Sequence, residues 1–149
     1  MNVFDAELQF DEDDPPGYHT AYLRTAPVLG GTKIAFNLFE LPPGQSVCPY
    51  HYEAEEEEWI VVLTGRPTLR TPQGEHELAP WDCVFCPAGE EGAHKVTNHG
   101  DEPARIIIWS NRSTPGVAVY PDSGKVGAWP PGKLFRLADA VDYFDGELD

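Results

Sequence analysis

The chain has 149 residues, including 15 prolines and 14 glycines, which suits one domain whose core is built from short elements joined by turns. Its formal net charge is -15 and its ten lysines and arginines are scattered, which argues against nucleic acid or an anionic membrane as a partner. The sequence has neither an N-terminal apolar segment nor an apolar run of about 18 residues, so we expect no signal peptide, no membrane span and a cytoplasmic location.

The N-terminal part of the chain predicts an arm followed by strands. Residues 1–17 are acidic and end in DEDDPPG, which favours an extended arm that stops at the prolines. Residues 18–24 predict a first strand, and 32–40 (TKIAFNLFE) predict a second because apolar residues alternate there. The following LPPG ends that strand.

The next stretch, GQSVCPYHYEAEEEEWIVVLTG, combines metal-binding side chains with an apolar strand. His51 and Glu53 are two residues apart, so on an extended segment they point to the same face. Glu58 opens the strand and shares a face with Ile60 and Val62. The spacing therefore predicts that three metal-ligating side chains converge on one pocket. The alternative is a solvated, charged surface loop without a metal site.

The rest of the chain predicts further short strands. Residues 67–78 predict a hairpin, and 83–85, 95–98 and 104–110 predict three more strands. His94 follows the turn-rich CPAGEEGA and supplies a fourth candidate ligand. In the Pro- and Gly-rich tail, only residues 134–144 have a pattern that could form a short helix. We expect the tail to cover the domain or to contact a second copy.

Three further histidines and three cysteines are not expected to bind metal. The histidines are in predicted loops or on the exposed hairpin: His19, His76 and His99. Cys83 and Cys86 form a C-x-x-C, but residues three apart in a strand face opposite sides and no second pair exists. We therefore expect buried structural thiols in a reducing compartment, with a minor role open for Cys48 beside the proposed ligands.

The ligand-bearing stretch resembles the first motif of the cupin superfamily, which has the order glycine, His, His, Glu and glycine. Glu58 and Gly65 keep the family's spacing of six intervening residues. His51 takes the place of the first His, one residue late after Gly44. Glu53 stands where the second His is expected, which is the main departure from the family pattern in this motif.

A later stretch resembles the second cupin motif, which has the order glycine, Pro, glycine, His and Asn. Trp81 replaces the first glycine, and Pro87, Gly89, His94 and Asn98 take the later places. Four residues rather than two precede the His.

The resemblance covers about residues 34–110 and implies a single all-β domain, a double-stranded β-helix of the jelly-roll or barrel type. The expected barrel core is 32–112, with the N-terminal arm 1–17 and the C-terminal tail 113–149. Many short strands joined by polar turns favour the same architecture. Similar cupins also suggest a homodimer, as does the apolar tail, which has little to cover in a lone roll.

The expected metal ligands are His51, Glu53, Glu58 and His94. Two neutral imidazoles and two carboxylates would nearly cancel the charge of a divalent ion, which favours Fe, Mn, Ni or Zn. If Glu53 swings away, the other three residues form the two-His, one-carboxylate face that non-haem iron uses.

The expected substrate pocket around the metal is apolar. Its predicted residues are Phe36, Leu38, Ile60, Val62 and Trp109. Such a lining would suit a small organic acid, a diketone or an aromatic enol.

The sequence predicts a metal-dependent enzyme acting on a small organic molecule, of the dioxygenase, isomerase or decarboxylase type. Glu53 or Glu58 would be the catalytic proton acceptor. A binding module that holds a metal and a small ligand without turnover is the alternative, and an interaction domain without metal is a third.

Overall fold

The computed structural model describes residues 1–147 and consists mainly of short strands. The strands are β1 (Gln9–Phe10), β2 (Ala21–Arg24), β3 (Ile34–Leu41), β4 (Tyr52–Glu53), β5 (Glu58–Thr64), β6 (Thr68–Thr71), β7 (Gly74–Glu77), β8 (Cys83–Cys86), β9 (Lys95–Thr97), β10 (Ala104–Asn111), β11 (Gly116–Tyr120), β12 (Lys125–Trp129) and β13 (Lys133–Arg136). The helical elements are α1 (Thr25–Leu29) and the 3-10 turns Glu90–Gly92, Pro121–Ser123 and Leu137–Asp139.

The strands form three antiparallel sheets. The largest has the order β1-β2-β3-β10-β5-β8, the second β13-β12-β11-β4, and the third β7-β6-β9. Neighbours that are distant in sequence, such as β3 and β10, lie side by side, as a jelly roll requires. The predicted all-β jelly-roll fold is confirmed.

The hydrophobic core lies on the inner face of the large sheet. The inner cluster consists of Leu41, Ile60, Val62, Leu69, Leu78, Cys86, Val96, Ile106 and Ile108. Burial of each large aliphatic side chain contributes about 1.5–3 kcal/mol, so this cluster holds the sheets together. Glu58 precedes Ile60 and Val62 on the same face of β5, so the site described below adjoins this core.

A second, smaller cluster lies on the outer face of the large sheet. It contains Leu38, Leu63 and Ile107, and Val3, Ala6 and Leu8 of the N-terminal arm pack against it. The arm is held there because the Arg105 guanidinium donates to the carbonyl of Phe4 at 2.9 Å and to Glu40 Oε2 at 2.7 Å. The large sheet thus buries apolar side chains on both faces.

Three of the five predicted pocket residues lie on this outer face. Leu38 is fully buried in the outer cluster, and Phe36 makes an edge-to-face contact with Trp109 at 5.8 Å between ring centroids. The prediction that these three face the pocket was wrong, because strand alternation points them away from it. Ile60 and Val62 do face inward, but both are fully buried in the core.

The C-terminal region also differs from the prediction. Strands β11, β12 and β13 form a meander that joins β4 through β11, so strand pairing continues well beyond residue 112. The predicted short helix over 134–144 was wrong: strand β13 and a 3-10 turn occupy its first half.

The cysteine prediction holds only in part. Cys86 is buried and Cys83 is exposed on the opposite face, as alternation requires, so only Cys86 is a buried thiol of that pair. Among residues 1–147, the longest helix is too short to cross a membrane.

Candidate metal centre

His51 and His94 are brought together by the backbone. The His51 N–H donates to the carbonyl of His94 at 3.1 Å, and the His94 N–H donates to the carbonyl of His51 at 2.8 Å. This antiparallel bridge places the two imidazole centroids 4.9 Å apart. Two histidines that are distant in sequence therefore share one face of the roll.

The turn before His94 explains why the sequence can place this side chain. Gly89 has a positive φ of 88°, and a Cβ on Gly92 would overlap the backbone carbonyl of Pro87. Only glycine fits so close an approach, so the tight turn between Pro87 and His94 depends on these two residues. The turn delivers His94 to the site as the sequence predicted.

Both imidazoles are oriented by backbone carbonyls. The Nδ1 of His51 lies 3.1 Å from the carbonyl of Pro49, and the Nδ1 of His94 lies 2.9 Å from the carbonyl of Gly92. A carbonyl can only accept, so each Nδ1 carries the proton and each Nε2 keeps a lone pair. Both Nε2 atoms are therefore prepared to bind a metal ion.

Glu58 completes a three-residue cluster with the two histidines. Its Oε2 lies 3.3 Å from His94 Nε2 and 3.9 Å from His51 Nε2. One ligand atom from each of the three residues lies within 4.8 Å of the others. The predicted convergence of His51, Glu58 and His94 is what the structure shows.

The cluster fits a divalent ion. Glu58 Oε2 and His94 Nε2 are buried, yet neither makes a hydrogen bond to any group among residues 1–147. Leaving a polar atom buried and unpartnered costs about 1–3 kcal/mol, and a shared cation would satisfy both. Atoms bound at about 2.1 Å to one ion lie about 3.0–3.4 Å apart, close to the observed separations. Two imidazole nitrogens and a carboxylate oxygen suit Fe, Mn, Ni or Zn.

Glu53 lies at the edge of this cluster. Its Oε1 is 3.7 Å from His51 Nε2, and its side chain is half-buried on strand β4. The set of atoms that all lie within 4.8 Å of one another includes His51, Glu58 and His94 but not Glu53. Its role as a fourth ligand stays a prediction.

Burial sets the protonation states of the site. It lowers the pKa of His51 to about 4, with His94 adding to the effect, and it also lowers the pKa of His94. Burial raises the pKa of Glu58 to about 8, with Glu53 and Glu56 adding repulsion. At neutral pH both imidazoles are therefore neutral, and Glu58 keeps its proton until a cation compensates the charge.

Sequence reasoning missed an aromatic wall beside His51. The Tyr120 ring stacks on the His51 ring, with centroids 5.8 Å apart and planes inclined by 21°. Tyr120 ends β11, which reaches the site because Ala118 and Val119 pair with the two residues of β4. No local pattern signals a pairing between segments so far apart in sequence.

Two cysteines also lie close to the ligands. Cys48 Sγ is 3.5 Å from His51 Nδ1, and Cys86 is paired in register with Glu58. Burial raises the pKa of Cys86 to about 12, with Glu58 adding to the effect, and burial also raises the pKa of Cys48. Both are neutral thiols at physiological pH. The three other histidines, His19, His76 and His99, are not part of this cluster.

A cavity of about 890 Å³ opens beside Glu53. Its lining is Arg24, Ala26, Pro27, Ala35, Asn37, Glu53, Glu56, Ser110, Arg112, Ser113, Thr114, Gly116, Trp129 and Pro130. Most of these side chains are polar, so the cavity differs from the apolar pocket that was predicted.

Register explains which residues line the cavity. Ser110 pairs with Glu58 on one side and with Ala35 on the other, so all three share the inner face. Ala35 and Asn37 flank the wrongly assigned Phe36 in sequence. The residues of β3 and β10 that line the cavity lie on the same face of the sheet as Glu58. Strand alternation relative to Glu58 would have identified them, whereas a search for apolar residues did not.

Comparison with known proteins identifies the same fold elsewhere. The family described as "Cupin domain" matches residues 37–110. A crystal structure of a sugar phosphate isomerase from the cupin superfamily, from Silicibacter pomeroyi, is 26% identical, with a TM-score of 0.82 over 97% of each chain. None of the proteins with curated functions matches the sequence significantly.

Two further solved structures are similar. A proposed sugar phosphate isomerase from Acidithiobacillus ferrooxidans is 27% identical, with a TM-score of 0.77 over 85% of this chain and 82% of that chain. A polyketide cyclase from Streptomyces resistomycificus is 22% identical, with a TM-score of 0.63 over 78% of this chain and 81% of that chain, and shows the fold alone.

Proposed function

The chain belongs to the cupin superfamily, and from this premise we propose that it is a metal-dependent isomerase of small phosphorylated sugars. The observation that carries the proposal is the position of Glu53. Its carboxylate lies 3.7 Å from His51 Nε2 and also lines the polar cavity of about 890 Å³. A single carboxyl group therefore adjoins both the expected metal and the expected substrate.

Two relatives support the class of substrate. The chain is 26% identical to the sugar phosphate isomerase and 27% identical to the proposed one, and it covers more than four-fifths of each of those chains. The polar lining, with Asn37, Ser110 and Thr114, suits a hydroxylated ligand better than the aromatic enol expected from the sequence.

The expected ligands are His51, Glu58 and His94, with Glu53 as the proposed fourth. A bound divalent ion would polarise the carbonyl of the sugar, which makes the hydrogen on the adjacent, hydroxyl-bearing carbon more acidic. Glu58 and the two imidazoles are held in place by strand β5 and by the carbonyls of Pro49 and Gly92.

Glu53 is the proposed base. Without a bound ion, burial raises its pKa to about 7, with Glu56 adding repulsion. A cation beside it would lower this pKa, so in the metal-loaded protein Glu53 would be ionised and able to accept a proton. Aldose–ketose isomerisation moves one proton between two adjacent carbons and one between their oxygens. The atoms balance without an oxidant, a reductant or a second substrate.

The test is turnover in deuterated water. Protein loaded with Mn²⁺, Ni²⁺ or Zn²⁺ is mixed with a panel of aldose and ketose phosphates, and the products are followed by NMR. We expect the isomeric sugar phosphate, with deuterium at the carbon that receives the proton. The Glu53→Gln variant should lose at least about 100-fold in rate while retaining metal through the other three ligands.

Two results would contradict the proposal. The first is metal-loaded protein that binds members of the panel without converting any of them, since it would then be the binding module that the sequence left open. The second is Glu53→Gln protein with undiminished turnover.

An oxygen-dependent reaction is the second candidate. His51, Glu58 and His94 supply the two-His, one-carboxylate set that non-haem iron oxygenases use. Oxygen uptake by the Fe²⁺ form with small organic substrates would favour this candidate. Turnover of a sugar phosphate under nitrogen would favour the isomerase.

A further inference from the structure

Two arginines that line the cavity have no acidic partner. Arg66, Arg70 and Arg105 each lie within 4.0 Å of a carboxylate, whereas within residues 1–147 neither Arg24 nor Arg112 forms an ion pair. The chain carries 25 acidic residues against ten basic ones, so two unpaired guanidinium groups at one cavity are unexpected. An arginine that is kept apart from carboxylates is available for an anion from outside.

Arg112 is held at the cavity by the backbone. Its N–H donates to the carbonyl of Lys33 at 2.8 Å, which extends the β3–β10 ladder by one step. One nitrogen of its guanidinium donates to the carbonyl of Gly31 at 3.2 Å. The remaining N–H groups of this side chain have no partner among the described residues and can bind a ligand.

Arg24 approaches the cavity from a neighbouring strand. It ends β2, is paired in register with Asn37 on β3, and lines the same cavity as Arg112. Its guanidinium also lies 5.4 Å from the centroid of the Tyr22 ring, which is a cation–π distance that leaves its N–H edges exposed.

The strand order separates Arg24 from the metal ligands. Glu58 is on β5, Ser110 on β10, Asn37 on β3 and Arg24 on β2, and these four strands are consecutive in the large sheet. Three strand spacings amount to about 14 Å between the backbones of Glu58 and Arg24. Arg112 lies nearer to the carboxylates, because it follows Ser110, the strand partner of Glu58, by two residues. The two arginines therefore line the cavity from different strands, and Arg24 is the one farther from Glu58.

We propose that Arg24 and Arg112 form the subsite for the phosphate group of the substrate, with its reacting carbons directed to Glu53. This inference rests on the proposed function and assigns the recognition of the anionic end of the same substrate. A guanidinium group binds phosphate oxygens through two parallel hydrogen bonds, and these charge-assisted bonds are the strongest type available to a side chain. In a chain with a net charge of -15, the pair supplies the positive charge of a lining that also carries Glu53 and Glu56.

The test is a binding measurement that does not depend on turnover. Calorimetry compares metal-loaded protein with ribose 5-phosphate, unphosphorylated ribose and inorganic phosphate. Arg24→Gln and Arg112→Gln should each weaken ribose 5-phosphate binding about 10-fold or more, because each removes charge-assisted hydrogen bonds to the phosphate. Arg24→Lys should retain part of the affinity, since a charge remains without the planar fork.

Arg136→Gln is the matched control. Arg136 is exposed on β13, forms no ion pair within residues 1–147 and does not line this cavity. This substitution should change the affinity for ribose 5-phosphate by less than about 2-fold. The affinity for unphosphorylated ribose should likewise change by less than about 2-fold in every variant. Thermal unfolding of the two cavity variants should match that of the parent, because both side chains are exposed.

The outcomes separate this proposal from the proposed function. Unchanged ribose 5-phosphate affinity in both Gln variants, or ribose binding as tightly as its phosphate, would overturn the arginine subsite even if the protein is an active isomerase. Phosphate binding that depends on both arginines would support the subsite even if none of the sugar phosphates is converted. The lack of conversion would refute only the proposed isomerase activity.

Discussion

His51 and His94 face each other across an antiparallel bridge and exchange both of their backbone hydrogen bonds, at 3.1 and 2.8 Å. The pairing is made by main-chain atoms, so it does not depend on a bound ion. Each ring is then turned by a carbonyl two residues before it in the chain, Pro49 for one and Gly92 for the other. The fold thus orients the Nε2 lone pairs of both histidines before any ion binds, and the Glu58 carboxylate on β5 lies next to His94 Nε2.

His94→Ala should abolish tight metal binding. It removes a ligand atom that is buried and lies 3.3 Å from Glu58 Oε2, and water replaces a fixed imidazole poorly. Elemental analysis after dialysis should show metal content reduced about 10-fold or more, whereas the exposed His99→Ala should leave it unchanged. Equal metal content in both variants would show that the cluster is not the metal site.

Glu53→His, which restores the pattern common among cupins, should retain metal but change its chemistry. An imidazole in place of a carboxylate adds about one unit of positive charge beside the ion, so an oxidised metal becomes less favoured. The measurement is metal preference by competition among Mn²⁺, Ni²⁺ and Zn²⁺, together with the potential of the iron form. If stoichiometry, preference and potential all stay unchanged, Glu53 is not a ligand.

The metal-free protein should lose stability as the pH rises from 7 to 8.5. Burial raises the pKa of Glu58 from 4.5 to about 8, so in this range the folded chain binds more protons than the unfolded one. Part of the contribution of protonated Glu58 to the free energy of unfolding therefore remains at pH 7, and it falls by about 1 kcal/mol by pH 8.5. The lowered pKa values of His51 and His94 act mainly below pH 6.5. Glu53, whose pKa is raised to about 7, adds a smaller loss of the same sign in this window.

The Glu58→Gln variant is the control for this effect. Its side chain cannot ionise, so urea denaturation should show most of this loss between pH 7 and 8.5 removed, with only the smaller contribution of Glu53 remaining. A parent protein whose stability rises over that range would contradict the assignment of Glu58 as a buried carboxylic acid.

The ligands could be predicted from the sequence because their geometry is local. Glu58 begins an apolar strand, and His51 and Glu53 share a face through a spacing of two, so short-range periodicity was sufficient. The glycines before His94 likewise marked a tight turn by their own chemistry. Each of these inferences needed only a few neighbouring residues.

The pocket could not be predicted in the same way because the large sheet buries apolar side chains on both faces. Phe36 and Trp109 are as apolar as the residues of the inner core, so hydrophobicity alone could not say which face is inside. The arrival of Tyr120 and Arg24 at the site depends on pairings between distant strands. Such pairings are fixed by the whole fold and leave no local signal.

Asn98→Ala should destabilise the protein by roughly 2–3 kcal/mol. The Asn98 side chain is buried, its Nδ2 donates to the carbonyls of Leu41 and Glu102 at 2.8 Å, and its Oδ1 accepts from the Gly100 N–H at 3.0 Å. Alanine leaves these backbone groups without partners. Denaturant unfolding is the measurement, and a loss below about 0.5 kcal/mol would contradict the inferred network.

Asn111→Ala is the matched control for that network. The Asn111 side chain is exposed and accepts one hydrogen bond, from the Glu57 N–H at 2.7 Å. Because water can replace an exposed partner, its loss should cost less than about 1 kcal/mol.

The chain should form a homodimer through its C-terminal segment. Six large apolar side chains there are each at least half exposed in the single chain: Leu134, Phe135, Leu137, Val141, Tyr143 and Phe144. A group of exposed apolar side chains of this kind is typical of a contact between proteins. Light scattering should give twice the chain mass at micromolar concentration, and Phe135→Asp should shift it towards the monomer. A monomer mass for the parent would refute the prediction.

The last prediction concerns strand β11, which the sequence placed in a tail outside the barrel. Ala118 pairs with Glu53, and the Tyr120 ring stacks on His51 at 5.8 Å, so β11 forms one wall of the candidate metal centre. The 3-10 turn that follows β11 is tied to the roll by two hydrogen bonds from the Arg70 guanidinium to Asp122, at 2.6 and 2.9 Å. Removing this wall would expose Glu53 and His51 to water.

A truncation that removes residues 113–149 should therefore lose tight metal binding, whereas one that removes only 140–149 should retain it. Because the longer deletion can also unfold the chain, Tyr120→Ala provides a milder test of the same contact. This variant should remain folded by circular dichroism and bind Zn²⁺ about 10-fold more weakly, since the His51 ring loses the surface that fixes its plane. Undiminished Zn²⁺ affinity in both the Tyr120→Ala variant and the longer truncation would show that the ligands are positioned without β11.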